Sequence, residues 1–356
     1  MNILGIETSC DETSVAVVGE DGTVRSNLIA SQIARHRPFG GVVPEIASRE
    51  HLEKIMLLLR QALDEAGCDL ADLEGIAVTA GPGLIGALLV GVAAAQGVSY
   101  GSGLPLVPVN HLEGHIFSPW LRAEGSAIPR PARFLSLVVS GGHSSLYDVA
   151  GGRVRMLNRT RDDAGGEVFD KVAKFIGLPY PGGPQVERVG QAGDPERFSF
   201  SMPQFKDDSA DFSFSGLKST AIRLARELRI EGSAEESEII ADFCASFQKA
   251  VGDQILDRLT RIWNSLDSAE MPAELGFGGG VAANGDLRER IARWCEERGL
   301  TARLAERRYC TDNAAMIAFA GWQRWDRREG DPRVVRAFSR LPAGVETFSG
   351  ADRPSQ

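Results

Sequence analysis

At 356 residues, the chain has room for about two domains of roughly 150 residues each. Hydrophobic residues make up 43% and charged residues 24%, which fits a globular protein and excludes disordered and fibrous classes. The net charge of −9 excludes a protein that holds a polyanion through bulk charge, so any nucleic-acid surface must be a local patch.

The first elements in chain order are a short apolar run at Ile3–Ile6, the polar turn Glu7–Ser14, a second run at Val15–Val18, a Gly19–Gly22 turn and Thr23-Val24. This reads as strand, turn, strand, tight turn, strand. Ile46–Ala66 carries Leu52, Ile55, Met56, Leu59 and Leu63 at helical spacing and stops at Gly67, so a helix is predicted there. Gly75–Ala80 reads as a strand, Leu84–Gly97 as a helix and Leu104–Val109 as a strand, the alternation of a parallel or mixed sheet. About 130 residues after the first unit the order recurs: strand Phe134–Val139, turn Ser140–Ser144, strand Ser145–Val149, turn Gly151-Gly152, strand Val154–Leu157. Such an echo predicts a duplicated domain. Helices are then expected over Glu167–Ile176, Gly216–Arg229, Glu235–Leu266 and Asp286–Glu297, with a strand at Glu274–Phe277. Trp322–Arg340, with six arginines against three acids, is the one locally basic stretch.

The five cysteines (Cys10, Cys68, Cys244, Cys295, Cys310) are odd in number and form no C-x-x-C, so free thiols in a reducing compartment are expected. The N-terminus lacks a basic region and has Glu7 early, which argues against a signal peptide. The apolar stretch Leu84–Val98 is shorter than the roughly 20 residues of a membrane span. A cytoplasmic protein with no membrane partner is expected.

Four motifs carry chemistry. Gly81-Pro82-Gly83-Leu84-Ile85-Gly86 fits G-x-G-x-x-G, but it does not follow the first strand, and the next strand ends in Asn110 rather than an acid. Tight turning and helix packing account for these glycines as well as a dinucleotide does. No G-x-x-x-x-G-K-[ST] occurs, which excludes a P-loop. Three small-residue turns follow short strands: Thr8–Asp11, Ser140–His143 and Gly278–Gly280 leading to Asn284. Together they suit anion binding by backbone N–H groups and helix N-termini in a nucleotide cleft between duplicated domains. In Asn110–His115 the two histidines are i and i+4, able to share a metal or to be two ordinary polar side chains. Glu113 is misplaced for the general base of an H-E-x-x-H protease. With Asp312 as a third ligand, a mixed nitrogen and oxygen site would suit iron or zinc. Finally, Asp162–Lys171 and Tyr180–Pro184 place Asp170 where a carboxylate could meet Mg²⁺ or ribose hydroxyls, while Asp162, Asp163 and Glu167 could serve only a helix N-terminus.

Ile3–Ser14, Gly81–Gly86, Asn110–His115, Val139–His143, Phe169–Lys171, Tyr180–Pro184, Phe214–Lys218, Gly278–Asn284 and Thr311–Ala315 together closely resemble the bacterial tRNA adenosine threonylcarbamoyltransferases, the TsaD family, from residue 2 to about 320. The resemblance implies a duplicated actin/Hsp70/hexokinase-like (ASKHA) α/β fold, with a nucleotide cleft between two domains. Residues 1–130 would form the first, completed by a C-terminal helix at about 313–341, residues 131–312 the second, and 342–356 a tail. It implies transfer of threonylcarbamoyl from threonylcarbamoyl-AMP to N6 of the adenosine 3′ to the anticodon, in tRNAs reading codons that start with adenine. By analogy His111, His115 and Asp312 match ligands of one divalent metal, iron(II) before zinc, with Mg²⁺ possible beside the nucleotide. Val138, Val139, Ser140, Gly141, Gly142, Asp170, Gly183 and Asn284 match adenylate-binding positions, with Glu187 where many members have Asp. Asp11 and Glu12 match an acidic pair near the transfer site, Asp11 being cast as general base or orienter of the amine. The family works with the paralogue TsaB, through first-domain helices such as Ile46–Ala66, and with the ATPase TsaE. Arginines of Trp322–Arg340 are expected to help meet tRNA. A metalloprotease, which the position of Glu113 disfavours, and a sugar-kinase-like phosphotransferase, which the histidine pair disfavours, are the rival readings.

Overall fold

The structure is a computed structural model that describes residues 1–123, 130–200, 209–233, 237–267 and 271–344. The predicted start of a helix at Glu235 and the tail beyond 344 lie outside the described residues. By packing the chain divides into two compact units. Described residues of 1–130, 152–154 and from 305 onward make the first, and those of 131–151 and 155–304 the second.

In the first unit β1 (Asn2–Glu7), β2 (Glu12–Gly19) and β3 (Val24–Ser31) form an antiparallel meander. The chain then runs through a single turn α1 (Ile33–His36) and the long helix α2 (Pro44–Ala66), which ends at Gly67 in the left-handed conformation. Next come β4 (Gly75–Gly81), α3 (Ile85–Ser102), β5 (Leu106–Asn110) and the short α4 (His111–Phe117). The sheet order is β3-β2-β1-β4-β5, with β4 parallel to β1 and β5 parallel to β4. Strand alternation puts Leu4, Ile6, Val15, Val17, Ile76 and Val78 on one face, where they share a core with Ile55, Leu59 and Val92 of α2 and α3. By length and composition α3 could cross a bilayer, running 18 residues to Ser102. Its Ala87, Leu88, Val92 and Ala95 are instead buried in the fold.

The second unit contains β6 (Arg133–Val139), β7 (Ser144–Ala150), β8 (Arg153–Arg159), α5 (Gly165–Phe175), α6 (Gly182–Gly190), α7 (Ser215–Glu227), α8 (Glu238–Ser265), β9 (Glu274–Gly278), α9 (Gly285–Glu296) and β10 (Thr301–Leu304). Its sheet runs β10-β9-β6-β7-β8, which is the first sheet's order in the opposite listing. As there, the first two strands are antiparallel and the first and fourth parallel. The sequence echo is thus a repeated topology.

The chain returns to the first unit as α10 (Ala314–Gln323), every residue of which from Ala314 to Gly321 is buried. It packs on the sheet face opposite α2, where small residues allow close approach. A Cβ on Gly5 would lie 2.3 Å from the Ala314 carbonyl oxygen, and one on Gly321 would lie 2.5 Å from the Ala77 Cβ. The sequence expectation of a helix across 313–341 is met only to Gln323. Beyond Arg324, two short 3₁₀ turns at Trp325–Arg327 and Pro332–Val334 follow, where Gly330 and Pro332 interrupt helical hydrogen bonding. Residues 305–312, placed with the second half by the sequence boundary, pack in the first unit because they lead directly into α10.

Candidate functional site

In the first unit, three side chains from distant parts of the sequence meet. Asn110 at the end of β5 caps α4 by accepting the Leu112 N–H at 2.9 Å, so the helix begins at His111 and both histidines point the same way. Asn313 caps α10 by accepting the Met316 N–H, and its amide donates to the Thr311 carbonyl at 2.7 Å, which fixes the intervening Asp312. Asp312 Oδ1 lies 3.5 Å from His111 Nε2 and 3.2 Å from His115 Nε2. One ligand atom from each of the three falls within 4.8 Å of the others.

Glu7 stands behind His111, fully buried at the end of β1. Its Oε2 accepts the Thr79 hydroxyl at 2.6 Å and lies 3.1 Å from His111 Nδ1; its other oxygen accepts the Ser9 N–H. We assign the proton of His111 to Nδ1, facing Glu7, because a carboxylate can only accept. Loss of the second proton, from Nε2, would then leave a lone pair toward Asp312. Burial opposes charge on His111, yet the Asp312 and Glu7 carboxylates outweigh it and push the imidazole up to about 9. Burial likewise opposes charge on Glu7, but His111 holds its carboxyl below the ordinary value. His115 is shifted down by burial; its Nε2 faces Asp312 at 3.2 Å, while its Nδ1 is buried with no hydrogen-bond partner among the described residues. Two imidazoles and the Asp312 carboxylate converging on one point, with Glu7 behind His111, form a donor set that fits a divalent cation.

Glu113 points away from this ring, as its spacing predicts. It is buried against Arg324, with Nε to Oε2 at 2.6 Å, and accepts the Gly344 N–H at 3.0 Å. A Cβ on Gly114 would sit 2.9 Å from Ile317 and Met316, so α4 and α10 touch between the two histidines. Asp11 and Glu12 follow Cys10 at the start of β2. Burial raises the Asp11 carboxyl. Burial, with Asp11 and Asp312 adding to it, takes Glu12 up to about 8 even though Ser31 donates to Oε1, and Oε2 is buried with no partner among the described residues.

In the second unit the predicted adenylate positions also converge. Val138 and Val139 end β6, and the turn Ser140–His143 is closed by the Ser140 N–H to the His143 carbonyl at 2.7 Å. The Gly166 N–H at the start of α5 donates to the Ser140 carbonyl, and Asp170 Oδ1 accepts the Gly182 N–H at 2.6 Å at the start of α6. Glu187 of α6 accepts the Gly285 N–H at 2.8 Å at the start of α9, whose cap is Asn284. Gly279, at φ +90°, abuts Val139 so closely that a Cβ would lie 2.4 Å from its carbonyl oxygen. Hydrogen bonds thereby link the turn to the N-terminus of α5, α5 to the N-terminus of α6, and α6 to the N-terminus of α9. Gly141, Gly142 and Gly280 face open space, with no atom within 4 Å of the point a Cβ would occupy. By contrast, the glycines of Gly81–Gly86 are filled by protein: Gly81, at φ +151°, abuts the Phe338 carbonyl, Gly83 the Ser9 carbonyl and Gly86 the Ser48 hydroxyl. The G-x-G-x-x-G there is a packing motif. Asp162 accepts from Phe214 N–H and two serine hydroxyls, and Asp163 pairs with Lys171 and Lys218, so both hold structure.

Sequence reasoning did not single out Glu7, whose signal is only an acid at the end of a strand. Helix α6 was missed as well, its periodicity hidden by Gly182, Gly183 and Pro184.

The doubled β-sheet topology is that of an actin/hexokinase-like α/β fold, here with a His–His–Asp donor group in one unit and linked helix N-termini in the other. Solved structures share this fold: HypF of T. kodakarensis (TM-score 0.59, 12% identity, 91% of this chain and 48% of that chain) and component A of the Acidaminococcus fermentans (R)-2-hydroxyglutaryl-CoA dehydratase (TM-score 0.52, 13%, 91% and 98%). The family model of TsaD, tRNA N6-adenosine threonylcarbamoyltransferase, matches residues 23–319. Relatives carrying that name are 47% identical in Sorangium cellulosum, covering 99% of this chain and 100% of the relative, and 47% in Desulfitobacterium hafniense, covering 96% and 97%. The chain belongs to the TsaD family of tRNA N6-adenosine threonylcarbamoyltransferases.

Proposed function

We propose that this enzyme makes threonylcarbamoyladenosine in tRNA, transferring threonylcarbamoyl from threonylcarbamoyl-AMP to N6 of the adenosine 3′ to the anticodon. The observation that carries this reading is that the family's motifs fold into two built clusters, the donor ring and the linked helix N-termini. His111, His115 and Asp312 would hold a divalent ion, iron(II) in our reading, and such an ion supplies Lewis acidity toward the carbamoyl oxygen.

The remaining work falls to the chain itself. The N6 lone pair is delocalised into the purine, so positioning of the amine against the carbamoyl carbon should dominate the rate. The N6–carbamoyl bond forms, the acyl–phosphate bond breaks, and AMP leaves with the electron pair. Backbone N–H groups of Ser140–Gly142 and the N-termini of α5, α6 and α9 suit the phosphate of AMP, whose charge grows as it leaves. In this reading Val138, Val139, Asp170, Gly183 and Asn284 would flank the adenylate, and Glu187, which accepts the Gly285 N–H through Oε1, would offer Oε2 to a ribose hydroxyl. Asp11, whose pKa burial raises, is our candidate to take the proton from N6, with Glu12 beside it.

The exposed apolar strip Leu52, Met56, Ile85, Leu89 and Tyr100 on α2 and α3 supports docking of the TsaB paralogue there. TsaE, Mg²⁺ accompanying nucleotide and a cytoplasmic location complete the reading. Purified protein with partners, ATP, threonine, bicarbonate, the threonylcarbamoyl-AMP-forming enzyme and tRNA should yield the modified nucleoside. Peptide cleavage, or phosphorylation of a small alcohol in its place, would overturn the assignment.

A further inference from the structure

Between β3 and α2 the chain makes a turn that the chemistry above does not use. Arg37–Phe39 form one 3₁₀ turn, closed by Gly40 at φ +70°. Phe39 at its tip is 60% exposed, and the Arg35 side chain is 71% exposed and pairs with Glu50 at 3.3 Å. Arg37 is exposed as well. Within residues 33–50 three arginines face two glutamates, in a chain of net charge −9.

The turn is anchored by a buried polar chain. The Val43 N–H donates to His36 Nδ1 at 3.3 Å, and His36 Nε2 lies 3.1 Å from the Gln32 side-chain oxygen. Gln32 Nε2 lies 3.3 Å from His51 Nδ1, which is also 2.8 Å from the Thr13 hydroxyl. His51 Nε2 reaches the Cys10 carbonyl at 3.0 Å, and the Gln32 N–H donates to the Asp11 carbonyl at 3.0 Å. One assignment of protons with neutral imidazoles runs through the chain, the Thr13 hydroxyl and the Gln32 amide sharing the one lone pair of His51 Nδ1, so the turn is fixed to the backbone that carries Asp11. A solvated phenylalanine held this firmly and flanked by guanidinium groups suits a flat π-face attached to phosphates. Unpaired RNA bases are read in this way, by stacking on an aromatic side chain with cations along the backbone.

We propose that the Arg35–Gly41 turn is an RNA-contact element, with Phe39 stacking on an unpaired base of the anticodon loop and Arg35 and Arg37 meeting neighbouring phosphates. This rests on the tRNA reading above. The test is binding of unmodified tRNA to the full chain with its partners, followed by fluorescence anisotropy across a salt series. Phe39→Ala is expected to weaken binding by about tenfold without changing thermal stability, Phe39→Trp to restore it, and Phe39→Leu to remain weak. Arg35→Gln with Arg37→Gln should flatten the salt dependence by about 0.7 per lost phosphate contact. Wild-type affinity in Phe39→Ala or Phe39→Leu overturns the stacking element, as does loss of partner association in place of RNA affinity. Wild-type protein that neither binds nor modifies tRNA overturns the function reading itself.

Discussion

Replacing Glu7 by Gln changes one atom and should unmake the donor ring. Glu7 Oε2 receives the Thr79 hydroxyl at 2.6 Å and the Nδ1–H of His111 at 3.1 Å, while Oε1 receives the Ser9 N–H. In Gln, the amide NH₂ cannot face Ser9, because two donors would then meet. It must take the Oε2 position, where Thr79 can rotate and accept. The new amide donor favours an acceptor at His111 Nδ1, which moves the ring proton to Nε2 and removes the lone pair aimed at the Asp312 side, although the Ser9 hydroxyl 3.1 Å from Nδ1 offers that proton another acceptor. Losing the group that orients a ligating histidine typically costs about 10- to 100-fold in metal affinity, or about 1.4–2.7 kcal/mol. The assay is competition against a chelator, with iron(II) or zinc as titrant and His111→Ala as the fully broken control. Glu7→Gln that binds metal as tightly as wild type, while His111→Ala does not, would refute the tautomer argument.

His111→Ala should lose metal retention and tRNA modification while keeping the fold; full modification by the metal-free variant would remove the metal role. Arg324→Met leaves Glu113 as an uncompensated buried charge and should cost about 3–5 kcal/mol, read by denaturant unfolding. Leu52→Asp with Leu89→Asp should abolish association with the paralogous partner and leave the melting temperature unchanged, since both side chains are more than half exposed. For Glu12 the sign follows from a carboxyl raised to about 8 in the fold. The folded state holds the proton more tightly than the unfolded chain, so stability is greatest below about pH 4.5 as far as this group is concerned and is lost as pH rises to about 8. Glu12→Gln should therefore lessen the fall in melting temperature between pH 6 and pH 9 by a few degrees, roughly; an unchanged fall would show that Glu12 ionises freely.

Much of the architecture was legible because its signals are local. The Ile3–Ile6 and Val15–Val18 runs, the spacing of Ile55 and Leu59, and Gly67 as a left-handed stop each report on neighbours in sequence, and the repeat reports itself. The histidine pair was readable because i and i+4 share a helix face. What escaped depends on contacts between distant residues. Nothing near Glu7 says that Thr79 and His111 will close around it, and His36, Gln32 and His51 are unremarkable until folding aligns them. The helix that the resemblance placed at about 313–341 stops at Gln323, where Arg324 leaves helical geometry and buries its side chain against Glu113, a contact no local signal announces. The G-x-G-x-x-G run misleads for the same reason: only the atoms of Phe338, Ser9 and Ser48 reveal what fills the space above its glycines.

The donor ring draws on residues 7, 111, 115 and 312, and its last member sits just before the helix that buries one face of the first sheet. During synthesis, then, a ribosome releases two histidines and their orienting carboxylate long before the third ligand exists. An ion held by these residues would be loaded only once nearly the whole chain has emerged and α10 has docked. A molecule cut short before Asp312 would have neither the ligand nor the covering helix, so incomplete chains would withdraw themselves from the active pool.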